Sequence, residues 1–385
     1  MKKRPLSVLF LPVDDGGCGW YRIRIWDEFF HRMDNVKSLI MTGKEDNPTE
    51  LIEKADVVVA RIQDSAYVKE IKINLDPLKP LVFDHDDNTM EVLPTSEHYR
   101  EFGTQDAYVN LKGEIKPVWV TGFTEDFNRY KNLAGQMELL FTLGCADLIT
   151  TPVQKLTEFY MQYANQGCQG AVVPNSLDFS MYPQGEFKLK DRKKGEIRLG
   201  WQGGVSHMGD WQEISKELGE VLEKYPQVTL HIMGSYYNSQ FEKFKDRITF
   251  YPWLPWRGYT YALKTMGLDG AIIPLEDKIF NEYKSEIKFT EFSQLGIPCL
   301  VKNMLPYSIV CKGGHNCYSY NSKSDFKLRL TKMIEDIASG SKTPKKYIRA
   351  SQKWVKEERS AEDNAKKLVE LYKTILPDEI QEQLI

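Results

Sequence analysis

The chain of 385 residues lacks the features that mark several common protein classes. Its formal net charge is only −3, so the molecule as a whole does not attract nucleic acid strongly. No apolar run approaches the roughly 20 residues that a membrane-spanning helix needs. The first apolar run, LSVLFL, is too short for a signal peptide and leads into acidic residues, which indicates a first strand.

Cysteine is sparse, and its spacing is uninformative about metals. The six cysteines form no CxxC pair and are not matched with histidines at zinc spacing. They are Cys18, Cys145, Cys168, Cys299, Cys311 and Cys317. This pattern argues against a disulfide framework and predicts reduced thiols in a cytoplasmic protein.

Short apolar, β-branched runs alternate with helical patterns along most of the chain. This alternation predicts α/β architecture, with parallel sheets covered by helices on both faces. A charged stretch with glycine and proline interrupts it and reads as a linker. We therefore predict two doubly wound domains, at 1–183 and 195–350, with a linker at 184–194. Amphipathic helices are expected at 351–385.

The loop after the first strand reads VDDGGCGWYRIR. Gly16 and Gly17 would let backbone amides approach a phosphate, so the loop predicts either a ligand floor or an ordinary strand-to-helix turn. Arg22 stands where the dinucleotide fingerprint requires its third glycine, which argues against an NAD-dependent oxidoreductase. No GKS or GKT follows, which excludes a P-loop.

A similar loop opens the second domain. Gly203 and Gly204 follow the strand in the stretch LGWQGG, and His207 precedes a helix predicted to begin near Asp210. In this position His207 could donate to a phosphate oxygen. The alternative is a helix capped by Ser206 or Asp210, with an exposed histidine.

The strongest local signal is the stretch PLEDKIFNEYKSEIKFTEFSQLGIPCLV. A helix is predicted to begin near Ser285 and to stop at the Gly-Ile-Pro of 296–298. Lys288 and Glu291 lie three residues apart, on one face, while Lys284 lies at the positive end of the helix. The two cations suit a diphosphate and the carboxylate suits a ribose diol. The alternative is a surface Lys–Glu pair.

With these residues the chain resembles retaining glycosyltransferases of the GT-B fold, of the family-4 type, including enzymes encoded by bacteriophages. The resemblance rests on the stretches GGCGWYR, VVPNSLDF, GWQGG and FNEYKSEIKFTEFSQLGIPCLV. It implies two Rossmann-like domains that face a central cleft. The second would hold a nucleotide-sugar donor, the first would hold the acceptor, and the last helices would cross back to the first domain.

The resemblance also implies roles for individual residues. Glu291 resembles the ribose-binding glutamate of a paired motif whose other glutamate would fall at Tyr283, and Trp253 and Leu254 occupy the place of the base. The implied donor contacts are Gly16, Gly17, Gly203, Gly204, Trp253, Leu254, Tyr283, Lys284, Ser285 and Glu291. The implied catalytic residues are Asp86, Asp87, His207 and Lys288.

The stretch VFDHDDN places carboxylates after a strand of the first domain. It resembles the DxD metal motif of the other glycosyltransferase fold, but in a GT-B enzyme lysines and helix ends neutralise the diphosphate. We therefore expect no metal and no cofactor beyond the nucleotide sugar. Asp86 and Asp87 are predicted to contact an acceptor hydroxyl, with capping of the next helix as the alternative. Further acceptor contacts are predicted from Trp20, Arg22 and Asp84.

The resemblance implies retaining, metal-independent hexosyl transfer, with UDP-hexose as the expected donor. The predicted acceptor is a hydroxymethylated pyrimidine in phage DNA, modified in the host cytoplasm, with Arg22, Arg24 and the basic stretches 188–198 and 342–349 as candidate phosphate contacts. A cell-surface polysaccharide or other glycan is the alternative acceptor, and a non-catalytic sugar-nucleotide-binding protein is the alternative function. No amphipathic membrane-binding helix is evident, so stable membrane association is not expected.

Overall fold

A computed structural model gives the fold of the chain. It describes residues 3–92, 94, 96, 98–105, 107–109, 115–117, 123–124, 127–183, 192–204, 207–234 and 239–385. Residues 184–191 of the predicted linker, 184–194, lie outside the described residues, and so does Ser206. Within the described ranges, none of the helices combines the length and apolarity needed to cross a bilayer.

Sixteen strands are present in the described chain. In order they are β1 Leu6–Phe10, β2 Val36–Ile40, β3 Val57–Ala60, β4 Leu81–Asp84, β5 Ala107–Val109, β6 Ile115–Pro117, β7 Phe123–Thr124, β8 Phe127–Asn128, β9 Leu148–Thr151, β10 Gln169–Val172, β11 Ile197–Gly203, β12 Val228–Gly234, β13 Ile248–Tyr251, β14 Gly270–Ile273, β15 Cys299–Lys302 and β16 Tyr318–Tyr320.

The α-helices are interspersed with these strands. They are α1 Gly17–Gly19, α2 Ile25–Phe30, α3 Pro48–Lys54, α4 Ser65–Lys69, α5 Tyr99–Phe102, α6 Arg129–Cys145, α7 Gln154–Met161, α8 Met208–Lys224, α9 Trp256–Thr265, α10 Ile287–Gln294, α11 Tyr307–Val310, α12 Lys323–Ala338, α13 Lys342–Glu358, α14 Ala361–Lys373 and α15 Asp378–Gln381. A π-helical turn, Trp20–Arg24, joins α1 to α2, and a 3₁₀ helix, Ile279–Tyr283, precedes α10.

The chain divides into two compact units. Unit 1 comprises Met1–Met90, Tyr130–Asp178 and Ser360–Ile385, and unit 2 comprises Glu91–Arg129 and Phe179–Arg359. Each unit contains a six-stranded sheet whose strands are all parallel. Both units therefore have the doubly wound α/β architecture that the alternating pattern predicts.

The sheet of unit 1 has the strand order β10-β9-β4-β3-β1-β2. All residues of β3 and β4 are buried because both faces of the sheet are covered. The C-terminal segment of the chain belongs to this unit. There, Tyr372 of α14 packs edge-on against Phe30 of α2, and Asn364 Nδ2 donates to Ser176 Oγ at 2.9 Å.

The sheet of unit 2 has the order β13-β12-β11-β14-β15-β16. The direction of winding reverses between β11 and β14, and open α/β sheets bind ligands at such a point, outside the carboxyl ends of the strands. Trp201 of β11 and Trp211 of α8 are fully buried beneath this point, with ring centroids 5.3 Å apart. The strand order therefore predicts a ligand site at the loops after β11 and β14.

One local expectation differs from the structure. The helix predicted to begin near Ser285 begins at Ile287, because Lys284 has extended backbone and Glu286 occupies the N-cap position. In the C-terminal segment α13 ends at Glu358, and the Ser360 hydroxyl caps α14 by accepting from the Asp363 amide.

Candidate functional site

Two glycines stand at the end of β11 in unit 2. Gly204 is exposed, and a Cβ placed on it would meet nothing within 4 Å. Gly203 is buried, and a Cβ there would lie 2.6 Å from the Trp201 ring and 3.1 Å from Cδ2 of His207. Gly203 therefore occupies a position where a side chain would clash, and Gly204 leaves the space beside the end of β11 free of side-chain atoms. Both features suit a site for an anionic group.

His207 and Asp210 form a pair where α8 begins. His207 Nδ1 lies 2.7 Å from Asp210 Oδ2, while Asp210 Oδ1 accepts from the amide of Glu276, after β14, at 2.7 Å. Burial, and then the charge of Lys288, lower the pKa of His207 to about 4. A neutral ring that donates from Nδ1 presents Nε2 as an acceptor, so donation to a phosphate oxygen requires His207 to take up a proton.

Lys288 supplies a buried positive charge in the first turn of α10. Its ammonium lies 5.2 Å from the centroid of the Trp201 ring, and the residue is 7% exposed. Burial, together with the neighbouring charge of Lys284, lowers its pKa to about 7 against the attraction of Asp210 and Glu291. A cation held with so little compensation is suited to an anionic ligand.

Glu291 lies one turn further along α10, on the same face as Lys288. Its Oε2 accepts from Nε2 of Gln202 at 3.1 Å and from the hydroxyl of Tyr259 at 2.9 Å, and the residue is 2% exposed. Sequence reasoning identified Glu291 but missed Gln202 and Tyr259. Gln202 directly precedes the glycine pair, which is the one signal that could have identified it.

The predicted base-binding residues lie close to the same loop. Trp253 is 49% exposed, and its ring centroid is 5.6 Å from that of Tyr259. A Cβ on Gly234, at the end of β12, would lie 2.2 Å from the carbonyl oxygen of Gly203 and 3.1 Å from Cε3 of Trp253. Leu254, next to this tryptophan, is half-buried. The structure therefore brings the ends of β11 and β12 together beside an exposed aromatic ring.

The segment before α10 holds the remaining predicted donor contacts. Tyr283, which stands in the place of the paired glutamate, is 6% exposed, whereas Lys284 and Ser285 are half-buried. The ammonium of Lys284 lies 4.8 Å from the centroid of the Phe280 ring. Sequence reasoning missed Glu286, which is buried and accepts from Arg359 Nε at 2.7 Å. This ion pair ties the start of α10 to the end of α13.

In unit 1, Arg22 and Asp84 pair with each other in the interior. Nε and NH2 of Arg22 donate to the two carboxylate oxygens of Asp84 at 3.0 and 2.6 Å, and NH1 donates to Val173 O and Asn175 Oδ1. Neither Arg22 nor Trp20 is more than 4% exposed. Direct acceptor contact by Arg22 or Asp84 would require this buried pair to open. Their contacts join the end of β4 to the residues that follow β10.

A second group of charges lies at the ends of β1, β3 and β4. The Arg61 guanidinium is 3.2 Å from Asp14 Oδ2 and 3.1 Å from Asp86 Oδ1. Burial alone would raise the pKa of Asp86, but chiefly the charge of Arg61 lowers it, so Asp86 is a carboxylate at neutral pH. Asp87 is half-buried next to it, and its carbonyl accepts from the Tyr160 hydroxyl.

Gly16 and Gly17, predicted as donor contacts, also belong to unit 1. The amide of Gly16 donates to Asp14 Oδ1 at 2.7 Å, and a Cβ on Gly17 would meet nothing within 4 Å. In the described parts of the chain, no group of three or more His, Cys, Asp or Glu side chains is arranged to hold a metal ion.

Comparison with known proteins identifies the fold class. The chain has the α/β GT-B fold, as predicted, with a doubly wound sheet in each unit. No protein-family model matches the sequence, and no curated protein matches it either.

Solved structures that resemble the chain cover nearly all of it at low sequence identity. Anabaena HepE in complex with UDP-glucose is 10% identical, with a TM-score of 0.66, over 96% of this chain and 100% of that one. A glycosyltransferase from Rickettsia africae is 11% identical, with a TM-score of 0.62, over 97% and 99%. Sucrose-phosphate synthase from Thermosynechococcus elongatus is 10% identical, with a TM-score of 0.61, over 96% and 99%. At these identities the likeness concerns the fold.

Proposed function

We propose that the protein is a glycosyltransferase that moves a sugar from a nucleoside diphosphate sugar to a hydroxyl group. The observation that carries this proposal is the buried, undercompensated ammonium of Lys288, which lies on the helix after β14 and close to the loop after β11. Diphosphates bind where a cation, open backbone amides and a helix N-terminus converge. Lys288, Gly203, Gly204 and the start of α8 supply these groups.

The expected donor is a UDP-hexose. HepE, one of the proteins with a similar fold, was crystallised with UDP-glucose. In this proposal Glu291, oriented by Tyr259 and Gln202, accepts from the ribose hydroxyls. Trp253 offers an exposed aromatic face to the base.

The proposed reaction retains the configuration of the sugar. The acceptor oxygen attacks the anomeric carbon on the face that the diphosphate leaves, the bond from that carbon to the phosphate oxygen breaks, and the departing oxygen takes the acceptor proton. Charge that accumulates on the diphosphate is stabilised by Lys288, by Lys284 and by His207 once it is protonated. We propose that these groups act without a metal ion.

The acceptor predicted from sequence is a hydroxymethylated pyrimidine in phage DNA, and a glycan is the alternative. Favouring DNA, the first half of α13 carries four exposed basic residues, Lys342, Lys345, Lys346 and Arg349. Of the other predicted phosphate contacts, Arg22 is paired internally, and residues 188–191 of the stretch 188–198 lie outside the described residues. Six free cysteines suit the proposed cytoplasmic location.

Binding and hydrolysis of the donor test this proposal. Calorimetry with UDP and UDP-glucose should show binding, and labelled UDP-glucose should release UDP slowly without an acceptor. Lys288→Ala should weaken UDP binding at least about tenfold, the scale of one charge-assisted contact. Lys278→Ala, at an exposed lysine before the 3₁₀ helix, is the matched control and should bind normally.

Two outcomes would count against the proposal. Absence of UDP binding by the wild type would refute the donor site. Binding without any hydrolysis or transfer would favour a non-catalytic sugar-nucleotide-binding protein. This alternative is motivated by Tyr283, which stands in the place of the first paired glutamate.

A further inference from the structure

The carboxyl ends of β1 and β4 in unit 1 carry an excess of negative charge. We call this group of carboxylates the acidic rim. It consists of Asp14, Asp15, Asp84, Asp86 and Asp87. Three guanidinium groups accompany it, those of Arg22, Arg24 and Arg61, which leaves a formal charge of −2 for the five carboxylates and three cations.

The three arginines beside the acidic rim are already engaged by it. Arg22 is fully buried on Asp84, and Arg61, with a side chain that is 6% exposed, contacts both Asp14 and Asp86. Arg24 pairs with Asp15 at 2.7 Å and donates to two backbone carbonyls of the same loop. These cations neutralise the protein's own carboxylates, so a phosphate entering here would meet net negative charge.

Two buried side chains next to the acidic rim have polar atoms with no hydrogen-bond partner among the residues that the structure describes. Both ring nitrogens of His85 and Nδ2 of Asn88 are in this state, and each of these residues is at most 5% exposed. His85 Nδ1 lies 3.9 Å from Asp86 Oδ1. Burial lowers the pKa of His85, so the ring is neutral and can both donate and accept.

Unpaired buried polar groups are costly, so their presence beside the acidic rim indicates a site that is completed by ligand or water. Carboxylates accept hydrogen bonds from hydroxyls, a neutral imidazole can do either, and an amide nitrogen donates. A ligand with several uncharged hydroxyl groups satisfies this set, whereas an ionised phosphate group offers the carboxylates no donor and is repelled by them.

We propose that the acidic rim other than the buried Asp84, with His85 and Asn88, binds an uncharged polyhydroxyl acceptor, a free sugar or a glycoside, and disfavours phosphate-bearing acceptors. The inference rests on the proposed glycosyltransferase function and specifies its acceptor class. It therefore selects the glycan over DNA from the acceptors predicted by the sequence.

The test supplies labelled UDP-glucose with three acceptor sets in parallel. These are neutral alkyl glycosides and oligosaccharides, the corresponding sugar phosphates, and duplex and single-stranded DNA containing hydroxymethylated pyrimidines. We expect transfer to neutral acceptors, with a KM that changes less than about twofold between 50 and 300 mM salt. A DNA acceptor would instead show affinity that falls steeply with salt.

Variants connect the acceptor preference to the acidic rim. Asp86→Asn and His85→Gln should each raise the acceptor KM at least about fivefold and leave the affinity for UDP unchanged, which also shows that the protein is folded. Asp34→Asn, at an exposed carboxylate in the turn before β2, is the matched control and should leave both values unchanged.

The outcomes separate this inference from the proposed function. Loss of UDP binding in the wild type would count against the function itself. Normal UDP binding and hydrolysis, with label only on DNA or sugar phosphates, would overturn the acceptor assignment alone. Neutral acceptors whose KM is unchanged in Asp86→Asn and His85→Gln would also overturn it, because the acceptor would then bind elsewhere.

Discussion

The hydroxyl of Tyr259 donates a 2.9 Å hydrogen bond to Oε2 of Glu291. Burial, and then the charge of Glu291, raise the pKa of Tyr259 well above its usual value, so the phenol remains a donor. The bond joins α9 to α10 and holds one oxygen of the carboxylate in place. If the other oxygen faces the ribose, Tyr259 is a positioning residue for the donor site.

Removing this hydroxyl should impair donor binding more than catalysis. We expect Tyr259→Phe to raise the KM for UDP-glucose about fivefold, which corresponds to roughly 1 kcal/mol for one lost hydrogen bond, with kcat nearly unchanged. Glu291→Ala should lower turnover at least about tenfold. The loss in Tyr259→Phe should shrink with a 2′-deoxyribose donor. Tyr261→Phe, at an exposed tyrosine of the same helix, is the control.

The affinity for UDP should decrease as the pH rises above 7. Free Lys288 has a pKa of about 7, and a bound diphosphate raises it, so above pH 7 binding must take up a proton. Titration calorimetry between pH 7 and 9 should show a decrease of up to about tenfold per pH unit. Lys288→Arg should flatten this profile because a guanidinium stays protonated. The same slope in both proteins would exclude Lys288 as its origin.

Lys288 should also lower the free energy of unfolding of the unliganded protein at neutral pH. In the unfolded chain the ammonium keeps its proton up to about pH 10.4, whereas the folded protein releases it above about 7. The unfolded state therefore binds more protons in this window, and this residue's contribution to the free energy of unfolding rises with pH. We expect Lys288→Met to be more stable than the wild type at pH 7 in urea unfolding, with the difference shrinking toward pH 10.

Breaking the Arg22–Asp84 pair should destabilise unit 1 strongly. Arg22→Met leaves the Asp84 carboxylate buried without its guanidinium, and such losses cost about 3–5 kcal/mol. The double variant Arg22→Met/Asp84→Asn should lose much less than the sum of the two single variants, because neither uncompensated charge remains. Additive losses in urea unfolding would show that the two side chains are not coupled.

Glycine should be required at 234 and dispensable for folding at 204. Gly234 has φ +106°, and a Cβ there would lie 2.2 Å from a backbone oxygen, so Gly234→Ala should cost about 1–3 kcal/mol. Gly204→Ala meets open space and should change the free energy of unfolding by less than about 0.5 kcal/mol. Equal effects of the two substitutions would contradict the geometry at the end of β12.

The amino-acid sequence alone was sufficient to predict the parallel sheets, and it proposed the loops that carry the candidate site. Strands covered on both faces are continuous apolar runs, and β3 and β4 are fully buried as that pattern requires. Lys288 and Glu291 were found because they follow such a strand at helical spacing. Their functional roles stay predictions until donor binding is measured.

The contacts of the site residues could not be predicted in this way. Gln202 and Glu291 are 89 positions apart, and Arg22 and Asp84 are 62 apart. Neither pairing has a local pattern, since it depends on the order in which strands are placed in the sheet. For that reason Arg22 could be read as a phosphate contact, although its guanidinium is fully buried on a carboxylate.

The amino-acid sequence by itself determined the alternation of strands and helices, because periodicity and turn residues act over a few neighbouring positions. Only the tertiary structure decided which charges are neutralised and which are left with little compensation. The interaction energy of a charge depends on its burial and on its distance from other charges. Arg61 is therefore stabilised by nearby carboxylates, whereas the pKa of Lys288 is lowered to about 7.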